Sequence, residues 1–193
     1  MTTRALERAL KLAVVTGLRA ALGPAIVARA QNRPERQNLA IAALGELAFD
    51  KLPFVPDRDT LLPLLARGLA GAWVATRCLE EEGETDPWAA PLGAAVAMGV
   101  AAAAPRLRKA LGWTTGMPQP VLGLIEDYLA LRLGTEAVGL SMSDMSDAAR
   151  ETIDDVRGRA EHFLNQVQGG GEGHDHDQIV AGPGVQSAGA GSM

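Results

Sequence analysis

Apolar residues gather in five runs before position 141, and polar residues dominate after it. The runs cover residues 12–28, 39–52, 61–76, 87–105 and 121–140. None alternates strictly between apolar and polar positions, and no hairpin signal joins them, so the pattern predicts helices rather than strands. Prolines at positions 34, 53, 56, 87, 118 and 120 mark the joins. The stiff link Pro53-Phe54-Val55-Pro56-Asp57 predicts a helical hairpin of 39–52 against 61–76. The expected fold class is all-α. A membrane-embedded bundle of about four to five helices fills residues 1–140, an amphipathic surface helix covers 141–168, and a flexible Gly-rich tail covers 169–193.

The run 87–105 is the clearest membrane span. It holds 19 residues without a charge, and about 20 helical residues cross the hydrocarbon core. Gly93, Ala97 and Ala101, and likewise Gly99 and Ala103, recur every four residues; small residues at that spacing let helices approach closely in lipid. Trp73, Trp88 and Trp113 fall near segment ends, where indoles favour the membrane interface. The alternative is a soluble all-α bundle with this run at its centre.

Loop charges suggest a topology. Residues 80–86 are acidic, whereas 106–109 are basic and are expected on the cytoplasmic side. That order also puts Lys51, Arg58, Arg4, Arg8 and Lys11 inside. Arg29, Arg33 and Arg36 then fall outside, unless a segment beside them dips in without crossing. The basic start before Leu12 resembles a signal peptide, but Arg19 and Gly23-Pro24 interrupt the apolar run, so a retained helix is expected.

Past Ser141 the pattern changes. Ser141-Met142-Ser143-Asp144 reads as a turn opening a helix, with apolar points at Ile153, Val156, Ala160, Phe163 and Leu164 at helical spacing. Such a helix lies on a surface or at a membrane interface. From Gly169 onward the chain is too polar and Gly-rich to order itself.

Composition narrows the function classes. The 193 residues are 47% hydrophobic, with a formal charge of −5, which argues against nucleic-acid binding. The single cysteine, Cys78, excludes a disulfide framework or cysteine zinc site. His174-Asp175-His176-Asp177 offers metal-ligand types without supporting structure around them, so no metal site and no cofactor are expected. Gly169-Gly170-Gly171 lacks the Lys-Ser/Thr of a phosphate loop. No nucleophile set stands out, and an enzyme is not expected.

The charges inside the apolar runs carry the remaining information. They are Arg19, Glu46, Asp50, Lys51, Arg67, Glu126, Asp127, Arg132 and Glu136. Unpaired at mid-bilayer they would cost together about 27 kcal/mol, so they must pair, face a wet cavity or lie near helix ends. Glu46 and Asp50 share a helix face, and Arg132 and Glu136 can pair at the same four-residue spacing. Lys51 can snorkel. Glu126 and Asp127 point about 100° apart, so at most one faces a given partner. The expected cluster joins Glu46, Asp50 and either Glu126 or Asp127 to Arg19 and Arg67. It serves as an ion-pair network orienting helices or as an ion, proton or solute site.

Gly17-Leu18-Arg19-Ala20 and Gly45-Glu46-Leu47-Ala48-Phe49-Asp50-Lys51-Leu52-Pro53 resemble the bacterial membrane-protein family called domain of unknown function 4126. Arg67 with Gly68 and Gly71, and Pro120-Val121 with Glu126-Asp127, are similar to further motifs of that family. The resemblance covers about residues 12–140 and implies a multi-pass inner-membrane protein, without implying a reaction. The expectation is a structural or interaction bundle in the lipid bilayer. A transport or channel protein is the alternative, and its small size then calls for a homo-oligomer.

Overall fold

Proline has no amide hydrogen, and its ring collides with the carbonyl four residues back, so Pro24 opposes an unbroken helix from 12 to 28. The computed structural model, which describes residues 2–49 and 61–169, breaks the run there. Helix α1 spans Thr3–Leu18 and α2 spans Leu22–Ala30. Between them Arg19 is extended at φ −140°, ψ 108°, and Pro24 sits in the first turn of α2, where its missing donor costs nothing. One expected segment is therefore two helices.

The others are α3 (Arg36–Phe49), α4 (Leu61–Glu81), α5 (Ala89–Thr115), α6 (Gln119–Val138) and α7 (Met142–Gly169). The described residues form seven helices and no strand, so the fold is all-α. They fall into two compact units divided between Val156 and Arg157. The second unit is described through Gly169; in it Arg157 pairs with Glu161 at 3.0 Å along the helix. The expected tail lies outside the described residues, as does the link 53–57. Among the described residues α3 packs along α2, and it reaches the expected hairpin partner α4 through Glu46 and Arg67.

Helix α5 is the longest of the first unit and runs through Pro105. The basic residues Arg106, Arg108 and Lys109 therefore extend a helix rather than forming a loop. Alanines and leucines on both sides of Pro105 favour the helix, and the Arg106 guanidinium donates to the Ala102 carbonyl at 2.5 Å. The helix stops at Gly116, whose left-handed φ of 69° suits glycine.

The most extensive helix contact is α4 against α5. It requires glycine: a methyl group built on Gly71 would meet the Gly93 carbonyl oxygen at 2.5 Å and the Ala97 side chain at 2.5 Å. Gly93 and Ala97 face inward, whereas Gly99 and Ala103 are exposed. Helix α1 packs against α4, α5 and α6. The core between them contains Leu12, Val15, Ile26, Val27, Val74, Cys78 and Leu79.

Helix direction corrects the expected topology. The Thr2 amide donates to Glu84 at 2.8 and 2.9 Å, and Arg8 reaches Glu81 at 2.7 Å. Gln31, after α2, also reaches Glu81 at 3.0 Å. The start of α1, the end of α2 and the loop 80–86 therefore share one end of the bundle. Since α1 stops at Leu18 and α2 turns back, the pair enters and leaves at that end. Arg106–Lys109 lies toward the opposite end of α5, so it does not share a side with Arg4, Arg8 and Lys11.

The start of α7 follows its sequence signal. Ser141 Oγ accepts from the Asp144 amide at 3.1 Å, while the Ser141 amide donates to Asp144 Oδ2 at 2.8 Å, a reciprocal capping box. Ala148 and Thr152 are buried, and Ile153, Val156, Phe163 and Leu164 are exposed.

Candidate functional site

The break after α1 creates the site. Residues 19–21 leave the helical path, which turns the Arg19 side chain inward and frees two amides at the head of α2. Arg19 is 3% exposed and Arg67 is 6% exposed. Arg19 donates from Nε to Asp127 Oδ1 at 2.7 Å, and its Nη2 also reaches that oxygen. Glu46, on α3, accepts from the Ala20 and Ala21 amides at 2.9 and 2.8 Å. It also faces the Arg67 guanidinium of α4 at 3.6 Å. The positive end of α2 and a guanidinium thus converge on one carboxylate.

The result is one chain of contacts, Asp127 to Arg19, through residues 19–21 to Glu46, and on to Arg67. It ties α6, α1, α2, α3 and α4 together. Truncating either partner of such a buried pair leaves the other charged and desolvated, which costs about 3–5 kcal/mol. The Arg67 end also depends on small residues: Gly68 lies against Met98, whose sulfur would be 3.0 Å from an added methyl.

Glu126 does not join this chain. It points toward α5, where Arg108 donates from Nε to Oε2 at 2.9 Å and also engages it through Nη2. Glu136 pairs with Lys11 at 3.3 Å rather than with Arg132. Arg132 is exposed near the end of α6, where a long side chain can reach past the apolar wall. Asp50 and Lys51 lie outside the described residues, as does His174-Asp175-His176-Asp177. Among the described residues no group of three potential metal ligands comes together.

Sequence reasoning missed Arg108, Arg8 and Lys11 as partners. The Arg108–Glu126 pair had a signal. Both residues lie nine positions from Met117, and a tight turn there makes equidistant residues of antiparallel helices neighbours. Arg19 and Asp127 stand 108 positions apart, and no local rule relates them.

Outside the bundle the chemistry reverses. Leu62 is 81% exposed and Leu69 73%, both on α4. Val121, Leu124, Ile125, Tyr128 and Leu129 are exposed on α6. Helix α5 is long and apolar enough to cross a membrane, with little of it buried in the protein. Trp88 and Trp113, at its two ends, are 74% and 92% exposed. They are separated by about 37 Å of helical rise, slightly more than a hydrocarbon core of roughly 30 Å.

Comparison with known protein families, curated proteins and solved structures gives no match for this chain.

Proposed function

We propose that this chain is a multi-pass protein of the bacterial inner membrane, a helical bundle whose role is structural or interactive. The observation that carries this reading is the inversion of polarity. Guanidinium and carboxylate groups are enclosed, while large leucines and two indoles face outward. Water-soluble proteins rarely expose apolar patches on this scale, and lipid tolerates ionised groups only when they are paired or hydrated. Helices α4 and α6, of 21 and 20 residues, are each roughly 30 Å long and cross beside α5. The pair α1–α2 re-enters without crossing. Membership of the family domain of unknown function 4126 belongs to the same proposal and rests on the Glu46 and Asp127 motifs.

Sidedness follows from the positive-inside rule. The end bearing Arg4, Arg8, Lys11, Arg29, Arg33 and Arg36 faces the cytoplasm. Ala95, Gly99 and Ala103 form an exposed small-residue face on α5, which suits close contact with a second copy.

Membrane fractions washed with alkaline carbonate test the location: the chain stays in the pellet. Release into the supernatant, with a monodisperse species in detergent-free buffer, would falsify it.

One observation favours transport as a second reading. A helix broken inside the bundle, with its free amides aimed at a carboxylate, is the arrangement that discontinuous helices use in ion-coupled carriers. In liposomes loaded with a pH-sensitive dye, Glu46→Gln would change proton flux if Glu46 carries protons. Unchanged flux in folded protein leaves the network architectural.

A further inference from the structure

A cavity of about 280 Å³ lies between α2, α3, α6 and the first turns of α7. It takes no part in the Arg19–Glu46 network. Its composition changes along its length, and helix direction explains why. Helices α2 and α3 meet at residues 31–35, so Arg29 near the end of α2 and Arg36 at the start of α3 share the same rim. From that rim the two helices run inward to Leu22 and Leu47. The inner wall is Leu22, Ala25, Ala43, Leu44 and Leu47, closed by Leu131 of α6. Alanines on facing helices leave the space open, and Met142 and Met145 supply an adaptable side.

The two guanidiniums at the rim are satisfied differently. Arg29 has carboxylates, Glu151 at 3.1 Å and Asp144 within electrostatic reach. Arg36 donates to the side-chain amide oxygen Oδ1 of Asn32, a neutral acceptor, and among the described residues it forms no ion pair with a carboxylate. A slot that is apolar at depth and carries at its mouth a guanidinium bonded to a neutral amide matches an amphiphile with an anionic head.

We infer that this cavity holds one acyl chain of an anionic phospholipid, with the chain among Ala43, Leu44 and Leu131 and the phosphate at Arg36. The lipid as source rests on the membrane reading above. The slot itself does not, since its lining and rim are present either way.

The probe is lysophosphatidylglycerol carrying a photoactivatable diazirine on its chain, added to the purified full-length protein in maltoside. If carbonate releases the protein, plain buffer replaces maltoside. Irradiation and peptide mapping are expected to label 40–47 and 142–152. Unlabelled phosphatidylglycerol competes, and phosphatidylcholine does not. Ala43→Phe fills the slot and removes the label, while Arg36→Gln at the rim weakens capture by about tenfold, as loss of a charge-assisted hydrogen bond predicts. Circular dichroism confirms that both variants fold. Labelling confined to the outer faces of α4, α5 and α6 overturns the proposal, and so does equal competition by phosphatidylcholine. Carbonate release together with cavity labelling would overturn the membrane reading and leave the slot standing.

Discussion

The interior of the first unit and its outer wall obey opposite rules. Inside, Arg19 and Arg67 are almost wholly enclosed, and each faces a carboxylate. Outside, Leu62, Leu69 and Trp113 stand largely uncovered. In water both choices carry a free-energy penalty, because ions lose hydration and leucines gain an unfavourable surface. In lipid the wall costs nothing and the ions need only one another. The proposed lipid surroundings would account for both choices at once.

The sharpest way to break that contrast is to unpair the interior. Arg19→Gln leaves Asp127 enclosed without its guanidinium and is expected to destabilise the protein by about 3–5 kcal/mol. Asp127→Asn should cost a comparable amount. The double variant should cost less than the sum, by a coupling of about 0.5–3 kcal/mol. Thermal unfolding in detergent, followed by circular dichroism, measures all three. Additive losses would mean that the two side chains do not act as a pair.

The wall is probed by the reverse change. Leu69→Arg puts a guanidinium on the exposed middle of α4. In a bilayer it costs about 2.5–3.5 kcal/mol, whereas the same exposed change in water stays within about 0.5 kcal/mol. Unfolding in reconstituted vesicles distinguishes the two solvents, and a negligible loss would remove lipid from that face.

How much of this was legible beforehand depends on the reach of each signal. The helical class, the apolar run of α5 and the opening of α7 at Ser141-x-x-Asp144 are encoded within a few residues, and sequence spacing exposes them. The Arg108–Glu126 pair was recoverable from the turn at Met117. The break at Arg19 was half visible: Gly23-Pro24 stood in the chain as an interruption, but nothing local said that α2 returns to the end where α1 begins. That reversal moved Arg29, Arg33 and Arg36 to the same end as Arg8. It also placed the start of α1 beside 80–86 instead of 106–109. Charge counting offers the reversal only as an alternative, a segment that dips in without crossing, and cannot choose it, because loop charges report the side of a crossing only after the crossings are known. The expected cluster already set Arg19 against Glu126 or Asp127; the choice of Asp127 required the fold itself.

A smaller effect tests the contact between interior helices. Gly71→Val forces a branched side chain against the Gly93 backbone, which cannot rotate away as a side chain would. The expected loss is about 1–3 kcal/mol. Gly99→Val, on the outer side of the neighbouring helix with nothing within 4 Å, should be nearly neutral in a single copy. If the two variants behave alike, α4 and α5 do not cross at Gly71 and Gly93.

The smallest effect lies outside the bundle's apolar zone and concerns pH. The Ser141 hydroxyl, and then its amide, hold the Asp144 carboxyl below its ordinary value of 3.8. A depressed carboxylate pKa means that the folded state binds its proton less readily than the unfolded chain does. Its contribution is therefore complete well above pH 3.8 and drains away as pH falls through the lower, folded value. Between pH 5 and 8 the capping box should be indifferent to pH, and below 3.8 the first turn of α7 should fray. Ser141→Ala removes the leading cause, so the Asp144 titration should move up toward 3.8. Nuclear magnetic resonance of the Asp144 carboxyl carbon reads that shift directly. Because the capping box belongs to a solvent-facing turn, Ser141→Ala should leave the coupling energy between Arg19 and Asp127 unchanged at neutral pH. If that coupling moved with Ser141→Ala, interior and exterior would not be the separate compartments that the burial pattern makes them.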